Sequence, residues 1–301
     1  MNGSLRQGSP QFNGSMTALI TPFENGELDI KSFEKIVNFQ IDNGTNGLIP
    51  VGTTGESPTL SHYEHEKIVE ECIKVADNRV PIIAGAGSNS TQEACKLAKH
   101  AAKAGAQAVL VVTPYYNKPT QDGLYSHFMA VADSAKIPII VYDIPGRSII
   151  PVHDKTLVKL CEKNELIAGI KDATADISRP PRLLRLIGSG FSQLSGEDAT
   201  ALPYLAAGGH GCISVSSNIV PHLLSEMHNA WKNGDMNGAF QIHLKLINFH
   251  DAMFCESSPG PVKFAAEKIG LCKSEARLPI VKIAESSAQQ VLYALKECEL
   301  I

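Results

Sequence analysis

Lys171 closes the apolar run Leu166-Ile167-Ala168-Gly169-Ile170, and Tyr142 closes an earlier run over residues 137–142. An amine at the end of a buried strand is partly desolvated, which disfavours the ammonium form and frees the nitrogen to attack a carbonyl carbon and form a Schiff base. A phenol on the adjacent strand is suited to carry protons to and from such an imine. Each residue alone also has a plain reading: a solvated strand-end lysine, and a buried strand tyrosine with a satisfied hydroxyl. A further turn, Gly52-Thr53-Thr54-Gly55-Glu56-Ser57, follows the apolar stretch 47–51. Two hydroxyls and backbone N–H groups at what reads as a helix start suit a carboxylate and a proton relay, whereas a polar strand-to-helix turn is the simpler account.

Such groups act together only on a scaffold that gathers strand ends. Eight short apolar runs recur, at 16–21, 47–51, 80–84, 107–113, 137–142, 167–171, 191–195 and 211–215, with starts 20 to 33 residues apart. Continuous rather than alternating apolar runs indicate parallel strands covered on both faces, and the spacing leaves room for one crossover helix each. Asp29 is placed to cap a helix with Ile30, Phe33, Ile36, Val37 and Ile41 on one face, ending near Gly44. Ser61 to Glu64 and Ser90 to Glu93 have capping-box spacing. The count predicts an α/β protein, a (β/α)8 TIM barrel over about residues 15–235, with an appended C-terminal helical region over 236–301 and a disordered extension over 1–14. An open doubly wound sheet is disfavoured because no GxGxxG turn follows the first strand. In a barrel the strand C-termini share one rim, so Tyr115-Tyr116, Arg147, Lys171 and Gly196 converge with the hydroxyl-rich turns.

The 301 residues, 44% of them hydrophobic, suffice for a sizeable core. A formal net charge of −4 offers no broad attraction to nucleic acid or an anionic membrane and points to a small-molecule partner. The seven scattered cysteines read as reduced, mostly buried thiols. No run reaches the ~18 apolar residues of a membrane span and the start lacks a signal-peptide core, so a cytoplasmic location is expected.

Six motifs together, GTTGES (52–57), TPYYNKP (113–119), YDIPGR (142–147), GIKDAT (169–174), LSGED (194–198) and GGHGCISV (208–215), make the chain resemble the dihydrodipicolinate synthase family of class I, lysine-dependent aldolases. The resemblance runs from about residue 15 to the C-terminus. It implies that Lys171 condenses with pyruvate, that the enamine adds to L-aspartate 4-semialdehyde, and that no metal or organic cofactor is needed. It assigns Tyr142, Thr53 and Tyr116 to a proton relay, with Tyr116 supplied across a dimer interface of a homo-oligomer, a tetramer of two dimers. Thr54 would hold pyruvate's carboxylate and Arg147 that of the semialdehyde, with Gly196 and Ile213 lining the pocket. Two positions depart from the family's usual Asn and Thr: Asp143 and Ser148. Asp143 adds a possible negative charge beside Tyr142 and Arg147, a change expected to tune rather than abolish activity.

The family also implies an allosteric L-lysine site formed by Ser57, His62, His65, Asn89, Glu93 and Tyr115. Taken alone, Glu93 is the last member of a capping box, and the two histidines are a solvated helix face. A zinc site at His62 and His65 is not expected, since no third ligand lies nearby. The glycines at 208–211 read as a tight turn rather than a phosphate site. Two rival functions remain: another pyruvate-dependent aldolase such as an N-acetylneuraminate lyase, and a barrel that binds a metabolite without catalysis. Arg147 and the tandem tyrosines disfavour the first, and joint retention of Lys171, Tyr142, Thr53 and Tyr116 disfavours the second.

Overall fold

The computed structural model describes residues 5–301. The chain forms two compact units, one from Gly14–Ile82 and Ser214–Ile301, the other from Ile83–Ile213 together with the residues up to Asn13. In the first unit β1 (Gly14–Ala18) is followed by a small antiparallel pair, β2 (Phe23–Glu24) and β3 (Glu27–Leu28), then α1 (Ile30–Asp42), β4 (Gly47–Ile49) and α2 (His62–Ala76). β1 pairs in parallel with β4, with Met16 opposite Gly47 and Ala18 opposite Ile49. β1 ends earlier than the apolar run because the Ile20 N–H turns to Asn218 Oδ1, at 3.1 Å. Asp29 caps α1 through the Ser32 N–H, and Phe33, Ile36 and Val37 are buried as the periodicity requires. Gln40 joins that buried face because its amide is satisfied there, accepting from Thr17 Oγ1 and donating to the Asn218 carbonyl. The expected capping box of α2 is complete, with Ser61 and Glu64 bonding each other's backbone N–H.

The second unit repeats strand and helix in chain order: β5 (Ile83–Gly85), α3 (Thr91–Ala104), β6 (Ala108–Val112), α4 (Gln121–Ala135), β7 (Ile139–Asp143), the helical turn α5 (Pro145–Ser148), α6 (Asp154–Lys163), β8 (Ile167–Asp172), α7 (Arg179–Leu186), β9 (Ser192–Ser195), α8 (Ala201–Ala206) and β10 (Gly211–Ser214), whose last residue opens the other unit. Strands β5 to β10 lie side by side in sequence order, all pairs parallel. Their residues are buried almost throughout, which accounts for the continuous apolar runs. Of the extension expected over 1–14, residues 1–4 lie outside the described residues. Beyond them Arg6 donates to the Ile167, Cys161 and Asn164 carbonyls, and Phe12 is buried with its N–H on Ser192 Oγ.

Back in the first unit, four helices follow: α9 (Pro221–Lys232), α10 (Met236–Met253), α11 (Gly260–Lys268) and α12 (Glu285–Glu297). Lys263 on α11 is fully buried, and its ammonium pairs with Glu56 and donates to the Glu275 carbonyl at 2.6 Å. Glu56 also accepts the Arg277 N–H at 2.9 Å, while the Arg277 guanidinium pairs with Glu64. Both cations lie over the Phe23 ring, 4.2 Å and 4.3 Å from its centroid. Breaking a buried pair of this kind strands a charge, at about 3–5 kcal/mol. Among the described residues no helix is long and apolar enough to cross a membrane. The seven cysteines are free thiols, buried or half-buried.

His127 on α4 is buried, its Nδ1 2.9 Å from Thr91 Oγ1. Burial pushes this imidazole down to about 4. The unfolded chain, with an ordinary histidine near 6.5, therefore binds more protons between these values, and stability falls as pH drops through that window. Urea denaturation from pH 7 to pH 4 should show His127→Gln losing about 3 kcal/mol less than the parent protein. Equal losses in both proteins would exclude a buried neutral His127.

Candidate active site

β7 and β8 pair so that Tyr142 stands opposite Lys171 and Asp143 opposite Asp172. Parallel neighbours in register project side chains from the same side, and here the Lys171 Nζ lies 4.4 Å from the Tyr142 ring centroid. Lys171 is only 5% exposed and Tyr142 6%. An amine so placed is shielded from water and lies against the ring of a phenol. Gly196 closes the other side: its N–H donates to the Asp172 carbonyl at 2.7 Å, and a Cβ there would come within 3.2 Å of Lys171 Cε and 2.8 Å of Ala173 Cβ. Ile213 is fully buried on β10.

Glu197 was not singled out from the sequence. Burial raises its carboxyl, helped by the nearby Asp198 charge and opposed by Lys171 and Arg147. Those influences put a carboxylate in the electrostatic field of both cations. The acidic pair in LSGED was visible, but nothing in its spacing said which cation it would face. Cys212 is buried in the same neighbourhood, its thiol pushed well above the usual range by desolvation.

Asp143 and Asp172 share a single buried cation. Arg179 donates to Asp143 Oδ2 at 2.7 Å, to Asp172 Oδ1 at 3.4 Å and to Asp154 Oδ1 at 3.0 Å. Arg179 was not singled out from the sequence, because nothing in its local pattern reveals these partners. It is 4% exposed because three carboxylates surround it. Ser148, the other departure, accepts from Thr113 Oγ1 at 2.8 Å and bonds the Ile144 carbonyl at 3.0 Å. Arg147, on the same helical turn, is exposed.

Tyr115 and Tyr116 form a tight turn, with the Asn117 N–H on the Tyr115 carbonyl. Tyr116 is 86% exposed, and its backbone is left-handed at φ 71°. Asn117 Nδ2 donates to the Asn89 carbonyl at 2.9 Å, tying this turn to the loop before α3. Glu93 at the start of α3 accepts from Ser88 Oγ, to which the Ser90 N–H also donates. The second expected capping box is thus only half of one: Ser90 accepts from the Glu93 N–H, and Ser88 takes the remaining positions.

In the other unit the turn 52–57 departs from the expected helix start. The Gly55 and Ser57 N–H groups return to the Gly52 carbonyl and the Glu56 N–H to that of Thr53, and a single 3₁₀ turn over Ser57–Thr59 precedes α2 at His62. Val51 and Glu56 adopt left-handed φ of 50° and 56°. That conformation costs of order 1–3 kcal/mol for a residue with a side chain, and the bonds from Lys263 and Arg277 hold Glu56 in it. Thr54 is buried and Thr53 half-buried. His62 is exposed and His65 buried, so the two histidines do not share one environment. Among the described residues no group of three or more metal-ligating side chains forms.

Comparison with known proteins identifies the scaffold. The profile of the dihydrodipicolinate synthetase family matches residues 11–298. The chain belongs to this family. It is 55% identical over 291 residues to a 4-hydroxy-tetrahydrodipicolinate synthase of Bradyrhizobium diazoefficiens, covering 97% of this chain and 98% of that one. The chloride-inhibited dihydrodipicolinate synthase of Acinetobacter baumannii, solved with pyruvate, shares 43% identity and a TM-score of 0.93 over 96% of this chain and 99% of its own. The lysine-bound enzyme of Cyanidioschyzon merolae shares 35% identity and a TM-score of 0.94, covering 97% of this chain and all of its own. This member of the family therefore has the (β/α)8 barrel fold expected from eight strand–helix units, with C-terminal helices, and it is an enzyme: a lyase of lysine biosynthesis.

Gly196 offers a direct check on how tightly this site is built. Gly196→Ala should push the Lys171 side chain aside and lower kcat by about tenfold to a hundredfold, the penalty for an ångström-scale misplacement. A variant with unchanged kcat would mean that Gly196 does not confine Lys171.

Proposed function

We propose that this enzyme condenses pyruvate with L-aspartate 4-semialdehyde to give 4-hydroxy-tetrahydrodipicolinate. The Lys171 nitrogen attacks the pyruvate carbonyl carbon, and loss of water gives an imine. Loss of a methyl proton gives the enamine, whose carbon bonds to the aldehyde carbon. The amine of the adduct then displaces Lys171 as the ring closes. The observation that carries this reading is the buried Lys171 amine stacked on Tyr142 at paired strand ends, 4.4 Å from the ring centroid. Tyr142, Thr53 and Tyr116 relay protons in this scheme, Thr54 holds pyruvate's carboxylate, Arg147 holds that of the semialdehyde, and Gly196 and Ile213 line the pocket. The roles of Thr53 and Thr54 rest on the GTTGES motif, and the pyruvate complex of the Acinetobacter relative supports the first substrate. The imine itself is the electron sink, so the scheme uses no metal or organic cofactor.

The enzyme acts in the cytoplasm as a homotetramer of two dimers, and within each dimer every subunit lends Tyr116 to its neighbour's site. The 86% exposure of Tyr116 fits a side chain destined for another subunit. L-Lysine inhibits it through Ser57, His62, His65, Asn89, Glu93 and Tyr115, a reading supported by the lysine-bound relative.

Intact mass after treatment with pyruvate and borohydride should show one reduced pyruvate per chain, absent from Lys171→Ala. Folded wild-type protein that gains no mass would remove the Schiff-base reading. Millimolar L-lysine should slow the wild-type enzyme and leave Glu93→Ala unaffected, and a wild-type rate insensitive to saturating lysine would rule the effector out.

A further inference from the structure

Asp143 and Arg179 hold the backbone of Val152 at both its N–H and its carbonyl. The Asp143 Oδ1 accepts the Val152 N–H at 3.2 Å, and Arg179 Nη2 donates to the Val152 carbonyl at 2.7 Å. The two side chains close on each other through the 2.7 Å ion pair, and neither is more than 4% exposed. Between Asp143 and Val152 runs the segment that carries Arg147: the helical turn Pro145–Ser148 and then Ile149, in a left-handed conformation at φ 72°. Ser148 fixes the middle of this segment through Thr113, Ile144 and Ile150. Its far end is held at Val152 by Asp143 and Arg179.

We propose that Asp143 and Arg179 are positioning residues that clamp the Arg147 segment and so set the enzyme's affinity for the carboxylate of its aldehyde substrate, an inference that rests on the pyruvate and semialdehyde reading above. In this chain the clamp uses both oxygens of the carboxylate at 143. They accept from Val152 and from Arg179 at once, whereas an amide would turn its NH2 group toward the guanidinium or lose the Val152 bond. Arg179 is equally specific. Its fork reaches Asp143, Asp154, Asp172 and the Val152 carbonyl together, which a lysine ammonium does not. The clamp touches no substrate. It acts on Arg147 through the backbone, while Lys171 and Tyr142 are held independently by their strand ladders.

A local displacement of Arg147 should appear in one kinetic constant and not the others. Asp143→Asn should raise KM for L-aspartate 4-semialdehyde about tenfold, with KM for pyruvate and the rate of borohydride trapping within about twofold of wild type. Arg179→Lys, which keeps the charge and loses the fork, should show the same split and serves where Asp143→Asn does not fold. An unchanged semialdehyde KM in folded variants overturns the clamp, as does a parallel fall of pyruvate trapping and kcat, which would mark a general structural role. Wild-type protein in the same assay distinguishes the failures: no pyruvate adduct on it removes the underlying reaction, whereas a normal adduct with unchanged semialdehyde KM in the variants removes only the clamp.

Discussion

The parallel register of β7 and β8 is the constraint on which the proposed chemistry depends. It sets Tyr142 against Lys171 and, one residue on, Asp143 against Asp172. The first pair puts a phenol ring beside a buried amine. The second would put two carboxylates together without relief, at a cost that low-dielectric surroundings magnify. Arg179 resolves that conflict by pairing with both, and its buried guanidinium is held strongly protonated by those carboxylates. On the proposed reading, reactive and structural groups thus alternate along the same two strands, the amine and phenol in one pair and the acids that bind Arg179 in the next.

A comparable arrangement serves the other unit. Glu56 sits in the GTTGES turn with a left-handed backbone, and Lys263 and Arg277 from the C-terminal segment bond its carboxylate. Burial drives the Lys263 amine down, and the Glu56 charge resists that drive. The appended helices therefore do more than cover apolar surface. Lys263 on α11 and Arg277 in the segment between α11 and α12 hold a strained turn in place, which gives a physical reason for a C-terminal region longer than the barrel pattern requires.

The eight strands were legible because parallel strands covered on both faces must be apolar along their length, and each run was long enough to recognise. Boundaries were less so. β1 ends at Ala18 because the Asn218 side chain, 200 residues later, takes over the backbone hydrogen bonding. α3 begins with half a capping box because Ser88 takes positions that local spacing gave to its neighbours. Gln40 and Arg179 are buried against partners supplied from elsewhere in the chain, which polarity alone does not reveal.

The sequence by itself determined the family and the strand–helix repeat and singled out Lys171 as the candidate amine, because these rest on local periodicity and on motifs whose residues are close together along the chain. Only the tertiary structure decided that Asp143 is neutralised by Arg179, that Lys263 is buried against Glu56, and that Glu197 lies in the field of Lys171 and Arg147. Each of these is a charge whose state depends on burial and on a partner 26 to 207 residues distant along the chain. Electrostatics in a low-dielectric interior is set by distance in space, and distance along the chain carries no information about it.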